Sequence, residues 1–105
     1  MKFIKALVRP NMKPFVVDAI EELPDAPGLT VSPVEGWGHP TDGGPHQLTP
    51  QVKMEIVVED ERVDEVVDTI VEHGQTGRPG DGKIFISNLE RAVKIRTGEE
   101  GPEIA

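Results

Sequence analysis

Residues 76–85 read TGRPGDGKIF, and their types are those that hold an anion. Gly77, Gly80 and Gly82 permit positive φ and let the backbone come close to a ligand. Successive N–H groups in such a turn form an anion-binding nest. Arg78 and Lys83 add charge suited to a phosphate, and Thr76, Pro79 and Asp81 complete the loop. The spacing is not GxxxxGK[ST], and a strand pattern follows where a helix would be needed, so this is not a Walker A loop. Two further cations, Lys94 and Arg96, alternate along AVKIR (92–96), which reads as a short strand that would present both on one face. In a chain of 19 acidic and 11 basic residues, four cations near one glycine loop point to an anionic ligand. The plainer readings stay open. A surface turn needs Gly and Pro whatever it binds, and Lys94 with Arg96 also suits a solvated strand face.

A second set of residues could ligate a metal. His39, Asp42 and His46 fall in GHPTDGGPHQLTP (38–50), and two imidazoles with a carboxylate suit a transition metal. No rigid helical spacing such as HExxH supports that set, so polar residues in a loop is the competing reading. His73 stands at an expected helix end, where a cation complements the dipole. Glu59, Asp60, Glu61, Asp64 and Glu65 form an acidic cluster at a helix start and need no catalytic role. Glu55 is a candidate general base for slow phosphate hydrolysis, but no water-positioning or magnesium-ligating set accompanies it. The chain is therefore expected not to be an enzyme.

The 105 residues suggest one domain with a small core, for which self-association is a reasonable source of stability. The formal net charge of −8 excludes nucleic acid as a partner, because phosphate neutralisation needs a basic face. With no cysteine, neither disulfides nor thiolate metal sites can form. The apolar run near the N-terminus is broken by Lys5 and is too short for a signal peptide, so a cytoplasmic protein is expected.

The elements that must position these residues follow from periodicity. FIKALVR (3–9) reads as a strand stopped by Pro10. Asn11 is expected to cap a helix over 12–23, with Phe15, Val16, Ala19, Ile20 and Leu23 at helical spacing. LTVSPVEGW (29–37) reads as a strand, with Pro33 implying an edge or bulge. Residues 38–50 are expected to be a mobile loop. Val52, Met54, Ile56 and Val58 alternate as a half-buried strand. Val63, Val66, Val67, Ile70 and Val71 mark a second helix. Lys83 to Ser87 is a strand, and the tail over 98–105 reads as flexible. A weak repeat at a spacing of 50 aligns Val17-Asp18-Ala19-Ile20-Glu21-Glu22 with Val67-Asp68-Thr69-Ile70-Val71-Glu72. The order β-α-β-β-α-β and the repeat predict an α+β fold: a ferredoxin-like split βαβ sandwich, with a four-stranded antiparallel sheet and two helices on one face.

TGRPGDGKIF, followed by ERAVKIRTGEEG (90–101), resembles the nucleotide-binding signature of the PII nitrogen-regulatory signal proteins. GLTVSPVEGWG (28–38) is similar to the family's second strand with its Gly-aromatic-Gly end, and VKMEIVVED (52–60) to its third. The resemblance implies a homotrimer of ferredoxin-like subunits with ATP or ADP, as regulatory ligand, in clefts between subunits. Thr76, Gly77, Arg78, Pro79, Gly80, Asp81, Gly82 and Lys83 would hold the phosphates. Lys94 and Arg96 match two family arginines that reach them. Thr30, Glu55 and Val57 match positions near the adenine and ribose, and Gly36, Trp37 and Gly38 match the corner at the root of the signalling loop. A core or interface aromatic is the plainer reading of Trp37. The implied partner is a membrane transporter or an enzyme, the former recruiting the protein to the membrane.

The chain also departs from the family. His39-Pro40 stands where the family has Arg-Gln, whose glutamine helps bind the magnesium that holds 2-oxoglutarate. Gln51 stands where a family lysine contacts that acid. The chain has no tyrosine, so modification of the usual loop tyrosine cannot occur. Some atypical members accompany metal-efflux systems, which gives the alternative of a metal-binding trimer using His39, Asp42 and His46.

Overall fold

The computed structural model describes residues 1–39 and 44–101. Strand β1 (Lys2–Val8) leads through a 3-10 turn (Pro10–Met12) into helix α1 (Lys13–Glu21). Strands β2 (Leu29–Gly38) and β3 (Gln47–Val58) follow, then a second 3-10 turn (Asp60–Arg62), helix α2 (Val63–Gly74) and strand β4 (Gly82–Asn88). The sheet is antiparallel with strand order β2-β3-β1-β4, as expected for a ferredoxin-like α+β fold. No described helix is long and apolar enough to cross a membrane.

The two halves bury the same pattern. Ile4, Ala6 and Val8 of β1 alternate with Val52, Met54, Ile56 and Val58 of β3 on one face of the sheet. Val16 and Ile20 of α1 and Val66 and Ile70 of α2 close over them. Alternate residues of a strand point to opposite faces, so the other face carries Phe3, Lys5 and Leu7 with Lys53, Glu55 and Val57. Among the described residues no helix packs on that face, and residues 92–94 approach only its Glu55 and Val57 end. Phe85 of β4 is about half exposed there, with the Lys5 ammonium 5.7 Å from its ring centre.

Four local expectations change. Pro10, whose ring fixes φ and which has no N–H to satisfy, starts the helical turn itself, so Asn11 lies inside the turn and does not cap it. Phe15 lies on the solvent side of α1, one position off the buried stripe of Val16 and Ile20. The expected loop over 38–50 is shorter, because Gly38 pairs with Gln47 and β3 begins there. Residues 92–96 are not a strand of the sheet. Val93 bridges Glu100, and the Lys94 N–H donates to the Glu99 carbonyl at 2.8 Å, which makes a small arm. The expected placing of Pro33 on an edge holds, since β2 borders the sheet.

Gly82 is the tightest point of the backbone. Its φ is +107°, and a Cβ there would stand 1.7 Å from the Leu7 carbonyl oxygen. Gly82→Ala should therefore lower Tm steeply or prevent folding. Ile20→Ala should cost about 2–5 kcal/mol, whereas Phe15→Ala should stay within about 0.5 kcal/mol. Urea unfolding of the three variants checks all three expectations.

Candidate functional site

The glycine loop is organised around one carboxylate. Asp81 Oδ2 accepts the N–H groups of Thr76 at 2.8 Å and Gly77 at 3.0 Å. Its Oδ1 accepts the Thr76 hydroxyl at 2.5 Å and Arg9 Nε at 2.9 Å. The Thr76 hydroxyl in turn accepts the Arg78 N–H at 3.3 Å. Arg9 Nη2 donates to the Pro79 carbonyl at 2.7 Å. These bonds turn the chain so that Gly77, Gly80 and Gly82 all take positive φ, at 82°, 96° and 107°. Four donors around one carboxylate favour its charged form. The Thr76 hydroxyl first, then Arg9, holds the Asp81 carboxyl well below the ordinary value of 3.8.

Asp81, Thr76 and Gly77 thus spend their polar groups inside the loop, in shaping it. The groups left at its surface include the exposed Arg78 guanidinium, the Gly80 N–H and the Lys83 ammonium, none of which has a partner among the described residues. Gly80 and Lys83 border a concavity of about 420 Å³, which Arg78 does not line. Arg9, which grips the loop, lines the concavity with Gly80 and Lys83, as do Gly36, Trp37, Gly38 and Gln51. This brings the corner at 36–38 to the glycine loop across a register in which Gly36 pairs with Thr49 and Trp37 with Leu48. Trp37 is not a core residue: it is 69% exposed, and its indole stacks on the His46 ring at 5.8 Å.

The remaining predicted residues lie elsewhere. Thr30, Glu55, Val57 and Lys94 line a second concavity of about 450 Å³, which shares no residue with the first. Thr30 pairs directly with Glu55, and Lys53 holds the Glu55 carboxylate at 3.5 Å. The arm 92–100 brings Lys94 to this place. Arg96 lies in the turn of that arm and lines neither concavity, so the expected shared face of Lys94 and Arg96 is lost with the strand.

The metal reading gains nothing from the geometry. The His39 and His46 ring centroids lie 3.6 Å apart with a tilt of 42°, so the two rings pack on each other. His39 Nδ1 is 3.3 Å from the Gly44 carbonyl. Asp42 lies outside the described residues, and among those described no three ligating side chains gather. The magnesium and 2-oxoglutarate subsite that the family resemblance implies does not fit either. Pro40, also outside the described residues, has no side-chain donor, and Gln51 brings an amide where a cation would be needed.

One residue escaped the sequence reading. Arg9 stands 72 residues from Asp81 and looked only like the end of a strand. The available signal was a cation immediately before Pro10, at the end of the first expected strand.

The loop's order should depend on Asp81 and on pH in a stated direction. Because the folded value lies below 3.8, the contribution is complete above that value and is lost as pH falls through the lower folded value. Protection of the Gly77 amide against hydrogen exchange should hold from pH 7 down to about 4 and fall only below it. Asp81→Ala should lower that protection by about tenfold or more between about pH 4 and 7. Unchanged protection in Asp81→Ala would show that another group shapes the loop.

Comparison with known proteins accords with this arrangement. The family model "Nitrogen regulatory protein P-II" matches residues 1–99. The chain is 43% identical to the nitrogen regulatory protein P-II of Pasteurella multocida, over 98% of both chains. It is 46% identical to nitrogen regulatory protein P-II 2 of Methanothermobacter thermautotrophicus, over 96% of this chain and 94% of that one. It is 42% identical to nitrogen regulatory protein P-II 1 of Escherichia coli, over 95% and 96%. With the ferredoxin-like sheet, the glycine loop and the Gly-Trp-Gly corner in place, the chain belongs to the nitrogen regulatory protein P-II family.

Proposed function

We propose that this chain is a signal transducer, not a catalyst, that binds ATP or ADP in clefts between the subunits of a homotrimer. The observation that carries this reading is the division of the candidate contacts between two separate concavities. Gly36, Trp37, Gly38, Gly80 and Lys83 stand on one, and Thr30, Glu55, Val57 and Lys94 on the other. A ligand whose phosphates meet Lys83 of one copy would meet Thr30 and Lys94 of the next with its base and sugar. The open part of the sheet face supports assembly, since Phe85 is about half exposed there among the described residues.

Arg78, Pro79, Gly82 and Arg96 complete the proposed contact set, with Thr76, Gly77 and Asp81 shaping the loop. Occupancy would then be read through the corner. Gly36, Trp37 and Gly38 sit at once on the phosphate concavity and at the root of the segment that joins β2 to β3. A nucleotide that binds one arrangement of that segment better shifts the population toward it. The partner that reads it is a membrane transporter or an enzyme, the former bringing a cytoplasmic protein to the membrane.

Calorimetric titration with ADP, and with ATP in the same buffer, should show one site per subunit. Lys83→Ala should weaken binding by about 10- to 100-fold, the effect of removing a charged hydrogen bond to phosphate. Lys94→Ala should weaken it too. Trimers assembled from a mixture of the two variants should regain about a quarter of the clefts, because some then pair an intact Lys83 with an intact Lys94. No recovery would place both lysines in one chain's site, and no binding to the parent protein would end the nucleotide reading.

A further inference from the structure

We infer that Arg9 is a positioning residue of the anion site: it holds the turn at Pro79–Asp81 in the shape that binds phosphate. The inference rests on the nucleotide reading above and adds a residue to it.

Three observations carry it. First, one planar guanidinium grips the loop at two points. Nε reaches the Asp81 carboxylate at 2.9 Å and Nη2 the Pro79 carbonyl at 2.7 Å. These two points flank Gly80, whose φ of 96° sets the direction of the turn. Secondly, Arg9 is anchored at the other end. It follows β1 directly and precedes Pro10, and the register Val8↔Gly82 and Leu7↔Lys83 fixes that strand end against the start of β4. The grip therefore refers the loop to the most buried strand of the sheet. Thirdly, Arg9 lines the same concavity as Gly80 and Lys83, so the shape it holds is that of the binding wall.

Charge alone would not do this. A lysine at position 9 would pair with Asp81 as a point charge but could not also reach the Pro79 carbonyl in a fixed fork. The pair is about a quarter exposed, with side-chain exposures of 29% and 23%, and pairs of that kind add little to global stability. Its effect is therefore local order and, through it, ligand affinity.

The test uses the full chain and four variants: Arg9→Ala, Arg9→Lys, Asp81→Ala and the double variant Arg9→Ala/Asp81→Ala. Each is titrated with ADP and with inorganic triphosphate, and its Tm is recorded. Arg9→Ala should weaken both ligands by a similar factor of about ten or more, while Tm moves by no more than about 2 °C. Arg9→Lys should recover little of the loss. The double variant should bind about as poorly as Asp81→Ala alone, because Arg9 acts through the loop that Asp81 organises. Parent-like affinity in Arg9→Ala, or full recovery in Arg9→Lys, would overturn the inference and leave the nucleotide reading standing. Losses that multiply in the double variant would also overturn it, by making Arg9 a direct ligand contact. Failure of the parent protein itself to bind either ligand would overturn both.

Discussion

The arrangement at the glycine loop depends on one ionised carboxylate. Asp81 gathers the Thr76 and Gly77 amides, the Thr76 hydroxyl and the Arg9 guanidinium. A segment with three positive-φ glycines carries a large conformational freedom, and that freedom must be lost before the loop can present N–H groups to an anion. Asp81 and Arg9 remove it in advance. The loop is held from within and also from β1, so its geometry belongs to the sheet and is not a property of the loop alone. Gly82 adds a steric condition, since only glycine lets the backbone pass the Leu7 carbonyl at the start of β4.

The sheet explains why the candidate contacts divide. Antiparallel register fixes which residues face which side. Thr30 and Glu55 pair near one end of the β2–β3 ribbon, and Gly36 and Thr49 near the other. The glycine loop meets the second end, and the arm 92–100 meets the first. A rigid sheet of this size cannot fold those ends together. On the proposed reading, the cost of dividing a site in this way is also its use, because occupancy then joins subunits and can be read by a partner. Of the departures at His39-Pro40 and Gln51, His39 and Gln51 stand on the same concavity as Gly80 and Lys83, so on the proposed reading they change the wall beside the anion.

The fold was legible in the sequence for a plain reason. The apolar periods of β1, β3, α1 and α2 are clean, and the repeat at 50 residues sets the second half on the pattern of the first. Val16, Ile20, Val66 and Ile70 are buried where the helical spacing puts them. The misreadings sit where local pattern and tertiary context compete. Ala92 to Arg96 alternate like a strand, yet Val93 bridges Glu100 and the Lys94 N–H donates to the Glu99 carbonyl, so the segment pairs with its own continuation and not with the sheet. Phe15 is apolar and in phase within one residue, yet it faces solvent. Asn11 is a good capping residue, displaced by a proline that starts the turn itself.

The sequence by itself determined the elements, their order, the glycine loop and the cations able to serve it. Those properties follow from neighbours along the chain: periodicity, glycine freedom and residue chemistry. Only the tertiary structure decided how the loop is held and which residues share a wall. The Arg9–Asp81 pair joins residues 72 positions apart, and no local pattern marks it. It exists because β1 and β4 are neighbours in the sheet, and that adjacency is a result of packing two βαβ halves over one core.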